Sequence, residues 1–154
     1  MHYRLYLPED FPALYDLEEL CFSPPQRFSR SLMRQLLQRK HSATWIAEDH
    51  GIMTGFAIVA WEKEDGELLA YIQTIEVTPS HRSRGIARTL LARAESSAQA
   101  AGATLIWLHV DEENLPAVSL YEARRYKCVG REEDFYAPGQ AALLYAKALS
   151  PAKP

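Results

Sequence analysis

Apolar positions along this chain follow two spacings. From Leu68 to Val77, and again from Thr104 to Val110, apolar residues run almost unbroken, which predicts strands. The second run predicts a strand covered on both faces. Between the two, Ile86, Leu90, Leu91 and Ala94 recur at helical spacing. They predict a helix from about Arg84 to Ala101, with Gly102 as its C-terminal cap.

The rest of the chain divides in the same way. His2 to Leu7 reads as a strand, and Leu14, Leu17 and Leu20 as the buried stripe of a first helix. Phe22-Ser23-Pro24-Pro25 is a loop, because adjacent prolines cannot continue a helix. Ser29 is placed to cap a helix through Leu32, Leu36 and Leu37. Thr44 to Glu48 and Met53 to Glu62 form a hairpin across Asp49-His50-Gly51. Glu64-Asp65-Gly66 turns the chain into the Leu68 strand. Leu115 to Arg124 reads as a helix that tolerates Pro116 in its first turn. Strands near Tyr126 to Glu132 and Ala141 to Ala148 end the pattern, with Gly139-Gln140 between them. With no linker, repeat or low-complexity stretch, residues 1–149 read as a single domain and 150–154 as a frayed tail.

Composition narrows the class. The 154 residues can bury one genuine core, and 47% hydrophobic with 24% charged residues is ordinary for a water-soluble protein. A formal net charge of −3 gives no reason to expect nucleic acid. No apolar run approaches the roughly 20 residues of a membrane span, and no leader-like segment opens the chain. Cys21 and Cys128 cannot build a disulfide framework; they are expected to be buried small apolar groups in a reducing compartment. A cytoplasmic protein with no membrane and no metal site is expected. The last strands could pair with a second copy or remain an edge, so monomer and homodimer both stay open.

The basic residues are uneven. Arg82, Arg84, Arg88 and Arg93 crowd one loop and helix, and Arg93 reads as solvated surface. The Arg82-x-x-Gly85-x-Ala87 pattern is common by chance, but its setting is not. A strand ends at Val77, Pro79 turns the chain, and a helix begins. The N–H groups of Ser83, Arg84, Gly85, Ile86, Ala87 and Arg88 can then point at phosphate oxygens. Arg82, Arg84 and Arg88 can add charge-assisted bonds. A Gly-x-Gly-x-x-Gly dinucleotide fingerprint and a Walker Gly-Lys-Ser/Thr are both missing.

On Arg82-x-x-Gly85-x-Ala87, then Asn114, Ala117 and Leu120-Tyr121-Glu122 before Tyr126, the chain resembles the GCN5-related N-acetyltransferase (GNAT) superfamily. The resemblance covers nearly the whole chain. It departs at Ala87, where glycine is usual, and at Arg125-Tyr126, where Gly-Phe is frequent. It implies an α/β (α+β) fold with a mixed sheet of about seven strands, about four helices, and central strands splayed around acetyl-coenzyme A. It also implies that Ile75-Glu76-Val77 pairs its backbone with the pantetheine arm, which Asn114 and Tyr121 would also contact.

Amine acetylation must remove a proton from the amine, polarise a thioester carbonyl and stabilise a leaving thiolate. His109 shares a strand face with Leu105 and Trp107 and could take a proton directly or through water. It could equally be a hydrogen-bonded structural histidine. Tyr71 could be core packing. Tyr121 could be an interhelical contact or a phenol donating toward the thioester sulfur. The resemblance is nearest to protein N-terminal α-amino acetyltransferases of the RimI and NatE types. In the latter a tyrosine and a histidine that match Tyr71 and His109 hold and activate a water. Glu76 is a rival base, expected to face away from Tyr71 and Ile75.

On the acceptor side the resemblance places Phe22 and Pro24 against the first residue of a peptide, although that loop could be a structural corner. Phe135-Tyr136 matches paired tyrosines that grip the peptide backbone, with Tyr136 keeping its hydroxyl. Cross-strand packing is the alternative for this pair. The expected function is acetyl transfer from acetyl-coenzyme A to a primary amine, a peptide or protein N-terminus. A small-molecule amine acetyltransferase acting on polyamines, amino acids or antibiotics, and a non-catalytic acyl-coenzyme A sensor, are the alternatives.

Overall fold

The computed structural model describes residues 1–150. The expected frayed tail, apart from Ser150, lies outside the described residues. The chain runs β1 (His2–Leu5), α1 (Phe11–Cys21), α2 (Arg30–Leu37), β2 (Ser42–Asp49), β3 (Ile52–Glu64), β4 (Glu67–Val77), α3 (Ile86–Ala101), β5 (Leu105–Asp111), α4 (Leu115–Ala123), β6 (Lys127–Ala137) and β7 (Gln140–Ala148). The strands form one seven-stranded sheet in the order β1-β2-β3-β4-β5-β7-β6. Only β4 and β5 pair in parallel, because α3 carries the chain back across the sheet between them.

That parallel pair is short. Leu69, Ala70 and Tyr71 pair with Leu105, Ile106 and Trp107, and the ladder then stops. Beyond it β4 continues beside β3, and β5 continues beside β7. The two halves of the sheet therefore part at Tyr71 and Trp107, and the expected splay is present.

α3 packs on one face of the sheet. Leu90, Leu91, Ala94 and Ala98 have no measurable exposure and meet Ala57, Val59, Ile72, Ile106 and Leu108. α1 and α2 cover the other face of β2 and β3 through Leu14, Leu17, Met33, Ile46, Phe56 and Ile58. Leu91→Ala removes a wholly buried side chain and is expected to cost about 2–5 kcal/mol in chemical denaturation.

Three expectations change. β5 is buried on one face only: Ile106, Leu108 and Val110 are covered, whereas Leu105, Trp107, His109 and Asp111 are half-buried. The open side is left free because neither α1 nor α2 reaches past β4. Cys128 is exposed on β6 rather than buried, and Cys21 is half-buried. α3 begins at Ile86, two residues later than its pattern indicated, because Gly85 adopts a left-handed conformation at its N-cap. No helix among the described residues is long and apolar enough to cross a membrane.

Candidate active site

The loop after β4 is built around two left-handed residues, Ser83 (φ 63°) and Gly85 (φ 81°). Gly85 offers no side chain to cap α3, and the N–H groups of Ser83 through Arg88 have no acceptor among the described residues. The N-terminus of a 16-residue helix is thus left with free donors and the positive end of its dipole. Arg84 and Arg88 are exposed beside it. Arg82, also exposed, reaches back to the strand and to α1. Its Nε donates to the Val77 carbonyl at 3.0 Å and its Nη2 to Cys21 Sγ at 3.6 Å. It braces the loop against β4 and α1, and its charge adds to that of Arg84 and Arg88.

Where β4 and β5 part, Tyr71 and His109 meet. The Tyr71 hydroxyl lies 2.7 Å from His109 Nδ1. Burial pushes the phenol up to about 12, so it keeps its proton and is the donor in this bond. Nδ1 is then the acceptor nitrogen, and a neutral ring carries its proton on Nε2, which sits 3.3 Å from Glu132 Oε1. Trp107 packs edge-on against Tyr71, and Phe135 stacks flat on the imidazole at 4.0 Å between centroids. His109 is thereby fixed in orientation from three sides. Glu132 and Phe135 come from β6, two strands away across β7. No spacing in the sequence signals their approach, because it depends on the β5-β7-β6 order and on the break in the β6–β7 ladder after Glu132.

A cavity of about 110 Å³ adjoins this pair. His109, Asn114, Tyr121, Tyr136, Phe22 and Ile75 line it, so six of the expected site residues converge there. Tyr121 is buried and its phenol is pushed well above its usual range, chiefly by desolvation and then by the neighbouring Tyr136 and Tyr71. Asn114 caps α4 by accepting the Ala117 N–H at 3.3 Å, which leaves its side-chain N–H groups to other partners. Gln26 and Phe28, which sequence reasoning missed, add to the wall, and Gln26 donates to Asp111 at 2.7 Å, tying the α1–α2 loop to the end of β5. Pro24 is exposed in the same loop and does not line the cavity.

Glu76 does not face away from Tyr71. Ile58 pairs with Thr74 but Val59 pairs with Ile72, so Gln73 is an extra residue, a β-bulge. The bulge inverts the alternation beyond it. Tyr71 opposes Ala60, while Glu76 opposes Phe56, whose ring packs among α1 and α2 residues. Glu76 therefore lies on Tyr71's side of the sheet, and Ile75 faces α3 with Val77 and Ile86. Glu76 is 2% exposed, next to Glu18 of α1, and its carboxyl is held well above the usual range by desolvation and then by Glu18.

The model of the acetyltransferase (GNAT) family matches residues 11–125, most of the chain and all of the cofactor loop. The chain belongs to the GNAT acetyltransferase family. GNAT relatives include the streptothricin acetyltransferase of Streptomyces lavendulae, 35% identical over 86 residues, 56% of this chain and 44% of that protein. The catalytic subunit NAA10 of the N-terminal acetyltransferase A complex of Arabidopsis thaliana is 33% identical over 139 residues, 88% of this chain and 64% of that subunit. This chain thus spans about half to two thirds of the length of these relatives. Among solved GNAT folds, the ribosomal-protein-S18-alanine N-acetyltransferase of Escherichia coli superposes with a TM-score of 0.85 at 23% identity, covering 99% of this chain and 96% of that one.

GNAT enzymes use acetyl-coenzyme A, and this chain's residues fit it. The free N–H groups at 83–88 and the uncapped helix suit a pyrophosphate. The edge of β4 beyond Tyr71, unpaired toward β5, suits the amide groups of a pantetheine arm.

Proposed function

We propose that this chain acetylates the α-amine of a peptide or protein N-terminus. The carrying observation is the Tyr71–His109–Glu132 line at the point where the sheet parts. Tyr71 and His109 act as one proton acceptor. The amine's proton leaves to the Tyr71 oxygen, directly or through a water held there, as the phenol's own proton passes to His109 Nδ1. Glu132 then stabilises the imidazolium through Nε2. No free phenolate is needed, which agrees with a phenol whose proton is held so firmly. Bound acetyl-coenzyme A supplies the activated acetyl group and the thiol that departs. We assign Tyr121, whose proton burial also retains, as the hydrogen-bond donor toward the leaving sulfur. Asn114, Arg84 and Arg88 orient the cofactor, and Phe22 and Tyr136 flank the acceptor.

Two features favour an extended acceptor. A second cavity, of about 260 Å³, continues along the same sheet face over Tyr71, Leu69 and Trp107 and shares Gln73 with the first. The Arabidopsis relative matched over 88% of this chain is the catalytic subunit of an N-terminal acetyltransferase complex. The streptothricin acetyltransferase supports a second reading, a small-molecule amine as acceptor.

Incubating the protein with acetyl-coenzyme A and a panel of peptides, polyamines, amino acids and aminoglycoside or streptothricin antibiotics separates these. Thiol release with α-acetylated peptide in the mass spectrum is the expected result. Acetylated small amines and unmodified peptides would select the second reading. Binding of the cofactor with no thiol released on any amine would leave a non-catalytic acyl-coenzyme A sensor.

A further inference from the structure

Two carboxyl groups lie in the core beside the acceptor loop. Glu18 is fully buried and Glu76 is 2% exposed, and neither pairs with a cation among the described residues. Glu18 Oε2 accepts the Phe28 N–H at 2.9 Å. Glu76 Oε2 accepts the Thr74 hydroxyl at 2.9 Å. The other oxygen of each, Glu18 Oε1 and Glu76 Oε1, is buried with no hydrogen-bond partner, and Glu18 is the neighbour that, after desolvation, holds the Glu76 carboxyl above its usual range where α1 packs on β4. Carboxylates only accept hydrogen bonds, so neither orphaned oxygen can satisfy the other unless one of the two groups carries a proton.

We propose that Glu18 and Glu76 share one proton and act as a positioning latch that holds the acceptor loop, through Phe28, against the cofactor strand. Each partner sits where such a latch must. Glu18 is on α1, one turn before the loop, and Glu76 is on the cofactor strand, turned toward α1 by the Gln73 bulge. Phe28 is gripped at both backbone groups, since the Tyr15 hydroxyl donates to its carbonyl at 2.7 Å. Phe28 also lines the small cavity with Phe22 and Gln26. The other polar groups near the pair do not neutralise it. From α1 come Cys21 and Tyr15, from β4 Thr74, and from the loop after β4 Arg82, whose guanidinium is taken up by Val77 O and Cys21 Sγ. Phe56 and Ile58 of β3 are apolar. Two charges here would repel across a low-dielectric gap, whereas one proton turns repulsion into a bond. The shared proton is independent of the reaction; its effect on the acceptor rests on the proposed function.

The sign of the pH dependence follows. A carboxyl held above its unfolded value contributes stability below the ordinary carboxyl range and loses it as pH rises through the raised folded value. Thermal melts of the wild type should therefore fall as pH rises from the ordinary carboxyl range through the raised folded value. Glu76→Gln places a permanent N–H donor opposite Glu18, so its melting temperature should stay level over the range in which the wild type drops. Infrared spectra at neutral pH should show a protonated-carboxyl C=O band in the wild type that Glu76→Gln abolishes. The only other buried carboxyl among the described residues, Glu95, is paired with Arg124 and Lys147 and contributes no such band. In the acetylation assay Glu76→Ala should raise the acceptor KM about tenfold or more over that of Glu76→Gln, which restores the bond to Glu18. Parallel pH–stability curves for wild type and Glu76→Gln, or a neutral-pH wild type with no protonated-carboxyl band, would overturn the latch. The spectra and melts need no substrate. If they come out as expected and no amine is acetylated, only the proposed function falls.

Discussion

His109→Ala is expected to lower kcat by about 10²-fold or more, the range a positioned general base supplies. Tyr71→Phe should produce a loss of similar size, because the imidazole then has no hydroxyl through which to reach the amine. The two changes remove parts of one relay. The double variant should therefore be no slower than the worse single variant, apart from small packing effects. The affinity for acetyl-coenzyme A should stay near wild type in all three, since neither side chain belongs to the helix N-terminus that receives the diphosphate. Steady-state kinetics on the peptide identified by the acceptor panel would measure this. Losses that multiply in the double variant would show Tyr71 and His109 working separately, and near-normal rates would remove both from the chemistry.

Gly85→Glu is expected to weaken acetyl-coenzyme A binding by about 10²-fold or more in calorimetry, the change a ~2.7 kcal/mol penalty produces. Two effects combine. A side chain is forced into the left-handed region at φ 81°, and a carboxylate enters a cluster of N–H groups that suits an anion. Gly85→Ala separates them. A Cβ there meets nothing within 4 Å, so alanine carries the backbone strain alone and should weaken binding by about tenfold or less. If alanine and glutamate weaken binding equally, strain rather than charge governs the loop. If glutamate binds normally, the loop is not the anion site.

Much of this was readable from the chain because it lies in local spacing. The helix stripe of α3, the glycine before it and the two apolar strands around it each announce themselves within a dozen residues. The Tyr71–His109 pair was legible through the resemblance to NatE-type enzymes, and the short parallel pairing of β4 with β5 brings the two side chains together. What escaped depends on longer-range events. One additional residue at Gln73 reversed the side on which Glu76 was expected, and alternation alone cannot reveal a bulge. Glu132 and Phe135 reach His109 through a strand order set by tertiary packing. The apolar run of β5 looked doubly covered because Trp107 and Leu105 are as hydrophobic as core residues, yet both are half-buried and Trp107 lines an open groove. Arg82 carries a contact that composition could not announce, since its guanidinium also reaches the Val77 carbonyl at the end of β4.

The bulge at Gln73 also governs how this strand can change. Substitutions along β4 alter one side chain at a time, and deleting the extra residue between Ile72 and Thr74 would restore simple alternation while Thr74, Ile75 and Glu76 kept the partners, and so the sides, they have now. Ile75 would stay beneath α3, and the acidic group would stay toward α1. Length at this one position is therefore less constrained than length elsewhere in β4. Descendants of this chain shortened by that residue alone should survive in a library that demands only a folded product.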